Sequence, residues 1–106
     1  MNRIAFTSKI AQLIVAANDT LGYDVLGDWW LRDSATQHRL FEEGKSKCDG
    51  FIRKSAHQSG CALDIYIVGQ DGKLSWDESR YNTLHDYWDQ LGGKPRIAWD
   101  LGHFEG

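Results

Sequence analysis

Apolar positions along the chain follow two periods, which predict where its main helices and strands lie. Between residues 3 and 21 the apolar side chains recur at steps of three and four, which predicts a helix that ends at Gly22. Residues 61–68 alternate instead, as in a strand. This pattern places Cys61, Leu63, Ile65 and Ile67 on one face and Ala62, Asp64, Tyr66 and Val68 on the other.

Capping and turn residues mark the elements before that strand. Residues 23–31 are predicted to form a strand with a bend at Gly27. The segment from Ser34 to Gln37 has the pattern of a capping box, which predicts a short helix to Glu43. Residues 45–60 are polar and are predicted to be mostly irregular.

The last part of the chain carries the signals of a hairpin, a helix and a strand. Asp71-Gly72 predicts a turn, with the returning strand at residues 73–76. Ser75 to Glu78 has the pattern of a second capping box, and its helix ends at Gly92. A short strand is predicted at residues 96–101. The order of elements predicts an α+β fold, with helices packed against a small antiparallel sheet.

Composition narrows the classes of protein that this fold could represent. The 106 residues, 42% hydrophobic and 25% charged, predict a single globular domain over residues 1–106. The net charge of −3 argues against a nucleic acid as partner. No run of basic residues would suit an anionic membrane.

The first residues contain no continuous apolar stretch, because Lys9, Gln12 and Asn18 interrupt it. They are therefore predicted to be neither a secretory signal nor a membrane span, so no membrane insertion is expected. The expectation is a soluble monomer made in the cytoplasm. If its substrate lies outside the membrane, another factor must release it.

Two short segments carry side chains that bind zinc in enzymes, where three His or carboxylate ligands leave one position open. In the first segment, the chain from His57 to Asp64 would span about 23 Å if extended. Two ligands of one ion lie much closer, so the chain is predicted to double back at Ser59-Gly60. A carboxylate in an apolar strand is costly unless it is paired or metal-bound, and spacing alone leaves a salt-bridged or surface Asp64 open.

The second segment places Asp100 three residues before His103. One of these side chains can bind a metal while the other moves protons for the water that attacks a substrate. Taken alone, this spacing is a weak signal, because two-residue matches are common.

Together the two segments resemble a known family. The first reads Ser55-x-His57-x-x-Gly60-x-Ala62-x-Asp64, and the second reads Asp100-x-x-His103-Phe104-Glu105. In this order they resemble the zinc D-alanyl-D-alanine carboxypeptidase family, which includes the VanY and VanX peptidases and the L-alanyl-D-glutamate endopeptidases used by phages as endolysins. The resemblance extends from about Phe6 to Glu105. Residues that favour the endolysin branch are Gly22, Tyr23, Gly27, Asp28, Arg32, Gln37, Leu40, Gly44, Lys45, Ser46, Tyr81 and Trp88.

The resemblance implies a hedgehog/DD-peptidase-like fold, a zinc cofactor and a role for each motif residue. His57, Asp64 and His103 would bind Zn²⁺. Asp100 would be the general base and acid, although many members have Glu at this position. Arg32 would stabilise the charge that develops on the substrate's carbonyl oxygen. The implied substrate is the peptide stem of bacterial peptidoglycan.

Two further residues of the motif would support the site. The resemblance implies that Ser55 lies beside it and that Glu105 orients a ligand histidine, as carboxylates near metal sites do. The other two histidines are predicted not to bind the metal. His38 is expected at the surface, and His85 is expected to be packed or at the rim of its helix.

Three functions stay open at this point. The first is an L-alanyl-D-glutamate endopeptidase of a phage or prophage, which acts in the periplasm after release. The second is a carboxypeptidase or dipeptidase acting on D-Ala-D-Ala, which shares the metal motif. The third is a non-catalytic zinc-stabilised module. The pair of Asp100 and His103 argues against the third, because a structural zinc site needs no base and usually has four protein ligands.

A rival ligand set combines His57 with Cys48 and Cys61. On a regular strand Cys61 and Asp64 point to opposite faces, so both cannot easily bind one ion. We therefore predict that the C48S/C61S double variant retains its zinc. Metal analysis of the purified variant measures this directly, and loss of the ion would favour the cysteine set.

Overall fold

The computed structural model describes residues 1–106, and its first element is a long helix. This helix, α1, spans Arg3–Val15 and begins where the side-chain oxygen of Asn2 accepts a hydrogen bond from the amide of Ala5 (2.8 Å). The chain continues as a π-helical turn, Ala16–Thr20, and leaves it at Gly22 with φ +69°. The helix predicted at residues 3–21 is confirmed, with its last turn wider than an α-helix.

A four-stranded antiparallel sheet is built around one central strand. That strand, β2, spans Ala62–Val68, and β1 (Asp24–Gly27) pairs with one of its edges. Two short strands share the other edge, with β3 (Leu74–Ser75) at one end and β4 (His103–Glu105) at the other. The predicted α+β class with a small antiparallel sheet is confirmed.

The register between β2 and β4 decides which side chains meet. Leu63 lies opposite Phe104, and Asp64 lies opposite His103. Leu63 and Phe104 are both buried in the hydrophobic core. Because successive residues of a strand point to opposite faces, this register places Asp64 and His103 together on the other face of the sheet.

Two shorter helices follow the strands, and both begin at an aspartate. Helix α2 spans Ser34–Glu42, where Asp33 accepts from the amide of Thr36 (2.7 Å). Helix α3 spans Glu78–Gln90, where Asp77 accepts from the amide of Ser79 (3.0 Å). Both helices were predicted, but the prediction that Ser34 and Ser75 cap them was wrong. A carboxylate is the stronger acceptor and also interacts favourably with the helix dipole.

The strand predicted at residues 23–31 ends early. Beyond Gly27, Asp28 and Trp29 both lie opposite Asp64. The amide of Asp28 donates to the carbonyl of Asp64 (2.8 Å), and the amide of Asp64 donates to the carbonyl of Trp29 (2.9 Å). Two residues opposite one resemble a β-bulge, which bends the chain and ends regular pairing.

The prediction of a strand at residues 96–101 is wrong. This segment folds into turns, in which the amide of Asp100 donates to the carbonyl of Ile97 (3.0 Å) and that of His103 to the carbonyl of Asp100 (3.1 Å). One of the apolar side chains in this segment, Trp99, is 73% exposed. It therefore does not mark a buried face.

One hydrophobic core lies between the helices and the sheet. Trp88 of α3 is fully buried at its centre, edge-on to Phe6 of α1 at 5.6 Å and to Phe104 of β4 at 6.4 Å between ring centroids. Its indole N–H donates to the carbonyl of Glu105 (2.9 Å). This one side chain therefore ties α1, α3 and β4 together. No helix combines the length and apolar character needed to cross a membrane.

We expect Trp88→Ala to destabilise the fold by about 3–5 kcal/mol, because it removes the centre of the core and a hydrogen bond. Chemical denaturation measures the free energy of unfolding. Trp99→Ala is the matched control, and at this exposed position we expect a change of less than about 0.5 kcal/mol. Equal losses in the two variants would contradict the central place of Trp88.

Candidate metal and active site

The three predicted metal ligands converge, although they come from three separate parts of the chain. His57, Asp64 and His103 each offer a ligand atom, and these atoms lie within 4.8 Å of one another. The Oδ1 atom of Asp64 is 3.4 Å from Nε2 of His57 and 3.3 Å from Nδ1 of His103. No cysteine belongs to this cluster.

Local structure brings His57 back towards the strand. A short 3₁₀-helix, Ala56–Ser59, begins at a capping box in which Ser55 accepts from the amide of His57 (3.2 Å). Gln58 completes the box by accepting from the amide of Ser55 (2.9 Å). The turn closes at Gly60 with φ +72°, a conformation that glycine adopts without strain. The reversal predicted at Ser59-Gly60 is confirmed, and Ser55 acts as its cap.

Each histidine has one ring nitrogen held and the other directed at Asp64. Nδ1 of His57 lies 3.1 Å from the carbonyl of Trp30, which can only accept, so this nitrogen carries the proton. Nε2 of His103 lies 3.0 Å from a carboxylate oxygen of Glu105. Glu105 also pairs with Lys94 (3.0 Å). In the neutral tautomers that bind a metal, these contacts hold the proton on Nδ1 of His57 and on Nε2 of His103, so the ring nitrogens that face Asp64 are free for the ion.

Charge on Asp64 and on His103 is mutually stabilising. Burial alone would raise the pKa of Asp64, but hydrogen bonds from His103 and His57 lower it to about 2. Burial alone would lower the pKa of His103, yet hydrogen bonds to Asp64 and Glu105 raise it above its usual value. Asp64 is therefore ionised at neutral pH and acts as the anionic member of the cluster.

The donor set fits a divalent ion of the zinc type. Two imidazoles and one carboxylate form the three-ligand set that catalytic zinc sites use. Both histidines have the second hydrogen bond, to Trp30 and Glu105, that fixes the orientation of metal-binding imidazoles. His57 is 3% exposed, so the ligands are shielded from water on one side.

Asp100 lies in the turn before β4 and faces the same cleft as the cluster. The turn is fixed by the hydrogen bond from the amide of His103 to the carbonyl of Asp100 (3.1 Å). Burial and the charge of Asp64 raise the pKa of Asp100 above its usual value. Such a carboxylate is better matched to proton transfer near neutral pH than an exposed one.

Arg32 is buried beside the cluster, with 8% of its surface exposed. Its guanidinium lies 4.7 Å from the ring centroid of Trp29, and it donates to the side-chain oxygen of Gln37 (2.9 Å). Burial lowers the pKa of Arg32, while the charges of Asp64, Asp28 and Asp100 oppose this shift. Its Nε atom is buried and has no hydrogen-bond partner.

The cluster of His57, Asp64 and His103 lines one cleft of about 1440 Å³, together with Asp100 and Arg32. Sequence reasoning did not assign two residues that support it. Gln37 is fully buried, and its amide nitrogen donates to Ser46 Oγ and to the carbonyl of Cys48 (both 2.8 Å). Tyr66 lines the cleft, and burial together with nearby carboxylates raises its pKa to about 12, so it keeps its proton. Tyr66 follows Asp64 by two residues, which was the signal that placed both on one face.

The other two histidines lie outside the ligand cluster. His85 is fully buried and stacks on Phe104, with 4.0 Å between the ring centroids, and its Nε2 lies 2.7 Å from the carbonyl of Leu101. It is the packed histidine that was predicted. His38 is about 40% exposed and contacts Glu42 (3.0 Å) and the carbonyl of Asp49 (2.9 Å), so it is only partly solvated.

The fold is similar to that of two solved structures. One is an L,D-carboxypeptidase, DacB, from Streptococcus pneumonia, with a TM-score of 0.67 and 19% identity over 98% of this chain. The chain spans 65% of the length of that protein. The other is the Serratia marcescens L-Ala D-Glu endopeptidase ChiX, with a TM-score of 0.60 and 19% identity over 90% of this chain and 77% of that one. No family model and no curated protein matches the chain.

The raised pKa of His103 gives zinc binding an expected pH dependence. Zinc must displace the proton that His103 holds, so the apparent affinity should fall as pH drops through a value above 6.5. Glu105→Gln removes one cause of the raised pKa and should move the fall to lower pH. Zinc titrations of the metal-free protein at several pH values measure this.

Glu43→Gln is the matched control for this titration. Glu43 pairs with Lys45 (3.2 Å) and does not line the cleft. We expect its pH profile to equal that of the unmodified protein. If the Glu105→Gln variant has the same pH profile of zinc affinity as the unmodified protein, then Glu105 does not raise the pKa of His103.

Proposed function

We propose that the chain is a zinc metallopeptidase that hydrolyses the peptide stems of bacterial peptidoglycan. The observation that carries the proposal is the convergence of His57, Asp64 and His103 in a cleft that Asp100 and Arg32 also line. The similarity in fold to two solved peptidases supports it. The proposed domain comprises residues 1–106, and its place of action is the cell wall in the periplasm.

In this proposal each side chain has one task. His57, Asp64 and His103 hold the ion, and their orientation is fixed by Trp30 and Glu105. Zinc held there would supply a Lewis acid, which activates water and polarises the carbonyl group of the substrate.

Asp100 is the proposed general base and acid. Its carboxylate accepts the proton of the attacking water and then delivers it to the departing amine. Its raised pKa suits both halves of this task, because a carboxylate whose pKa lies closer to the working pH can both take up a proton and release it.

Arg32 is the proposed donor to the carbonyl oxygen of the substrate. Gln37 is the one side-chain hydrogen-bond partner of this guanidinium, so other N–H donors of Arg32 remain for a substrate oxygen. Gln37 and the ring of Trp29 hold the guanidinium in place before the substrate arrives. Pre-oriented donors of this kind stabilise developing negative charge.

Within this class, we propose cleavage between L-alanine and D-glutamate, as in a phage or prophage endolysin. The resemblance of the sequence to the endolysin branch supports this choice, as does the similarity in fold to an L-Ala D-Glu endopeptidase. The alternative is a carboxypeptidase, which the higher TM-score with DacB favours. A non-catalytic zinc module is the weaker alternative, because three ligands and a large cleft leave room for a substrate.

Digestion of purified peptidoglycan by the zinc-loaded protein tests the proposal. Mass spectrometry of the products should show a new amino terminus on D-glutamate, and a chelator should abolish it. Release of free D-alanine instead would support the carboxypeptidase.

The Asp100→Asn variant should keep its zinc and lose about 10²- to 10⁴-fold in activity, because only the proton-transfer group is removed.

Asp19→Asn is the matched control, since Asp19 is exposed and does not line the cleft. It should retain full activity. Full activity of the Asp100→Asn variant would remove Asp100 from the mechanism. No chelator-sensitive release of products from any wall type would reject the peptidase and favour the non-catalytic module.

A further inference from the structure

The cleft is lined by half of the chain's basic side chains and a third of its acidic ones, although the chain as a whole is acidic. The chain has a net charge of −3, with 12 basic and 15 acidic side chains. Six of the basic side chains line the cleft, against five acidic ones, and two of those five are Asp64 and Asp100 of the candidate site. The basic side chains are Arg32, Lys45, Lys47, Arg53, Lys54 and Lys94.

Four of these cations have no anionic partner within the chain, and one of the four, Arg32, belongs to the candidate site. Lys45 pairs with Glu43, and Lys94 pairs with Glu105. Lys47, Arg53 and Lys54 form no ion pair and are exposed to solvent. These three residues, which we call the cationic wall, lie in the loop between α2 and the 3₁₀-helix. Their charge is available to a ligand.

The loop that carries the cationic wall has a defined backbone. The carboxylate of Asp49 accepts hydrogen bonds from the amides of Phe51, Ile52 and Arg53 at 2.9–3.0 Å. Gly50 is buried with φ +92°, and a Cβ atom there would approach the carbonyl oxygen of Ser34 to 2.9 Å. The loop is thus packed closely against α2, which limits the entropy lost when its cations bind a ligand.

The cationic wall lies next to two parts of the candidate site, the segment that carries His57 and the turn that carries Asp100. Lys54 precedes His57 by three residues, so its end of the loop leads directly into a proposed metal ligand. At the other end, the ammonium group of Lys47 lies 5.4 Å from the ring centroid of Trp99, which is adjacent to Asp100. This loop and the turn that carries Asp100 therefore line the same cleft.

We propose that Lys47, Arg53 and Lys54 bind carboxylate groups of the substrate and so select stem peptides whose D-glutamate carboxylate is free over those in which it is amidated. This rests on the function proposed above and specifies the substrate within it. D-Glutamate that is linked through its side-chain carboxyl keeps a free α-carboxylate. Opposite charges at a cleft raise association rates and discriminate between ligands that differ by one charge.

Two synthetic stem peptides that differ only at this group, acid or amide, provide the test. The ratio of kcat/KM for the acid to that for the amide is the measured quantity. For the unmodified protein we expect a ratio of about two to five, the size expected for a charge in an exposed cleft. In the K47Q/R53Q/K54Q variant the ratio should fall to about one.

Salt provides a second measurement that needs no variant. Raising the ionic strength from 0.15 M to 1 M shortens the screening length from about 8 Å to about 3 Å, so the ratio should fall towards one.

Lys73→Gln is the matched control for the triple variant, because Lys73 lies outside the cleft, and it should keep both the activity and the ratio.

The outcomes separate this inference from the proposed function. Equal cleavage of acid and amide by the unmodified protein would overturn the inference and leave the peptidase standing. A preference that persists in the triple variant would also overturn it. Cleavage of neither peptide between L-alanine and D-glutamate would reject the proposed bond, and this inference with it.

Discussion

The antiparallel pairing of β2 with β4 is the constraint on which the candidate site depends. Asp64 meets His103 because Leu63 meets Phe104 in the core one residue earlier. A shift of the register by one residue would expose the apolar pair and bury the polar one, so the hydrophobic core holds the site in place. Trp88 strengthens this arrangement by packing on Phe104 and donating to the carbonyl of Glu105.

Gln37 connects the parts of the site that the sheet does not hold. One buried side chain accepts from Arg32 and donates to Ser46 and to the carbonyl of Cys48. The proposed donor to the substrate and the loop that carries the cationic wall are therefore fixed by the same amide. A buried amide whose bonds are all made orients its partners more firmly than exposed contacts do.

The candidate site combines two electrostatic environments. Around Asp64 the histidines stabilise negative charge, which fits a cation-binding cluster. Towards the loop, Lys47, Arg53 and Lys54 present unpaired positive charge to the cleft. Because the net charge of the chain is −3, this polarity is a property of the cleft and is not visible in the composition.

The sequence by itself determined the class of fold, the strand at residues 61–68 and the reversal at Gly60, because periodicity shows which face of a strand is buried and glycine favours the turn. The three residues that converge on one cluster followed from the resemblance of the two motifs to a known family, since spacing alone left the role of Asp64 open. The tertiary structure alone decided that β4 starts at His103, that Asp33 and Asp77 cap the helices, and that Gln37 and Trp30 orient the site. These features depend on contacts between residues far apart in the chain, and local patterns carry no information about which partner a buried polar group will find.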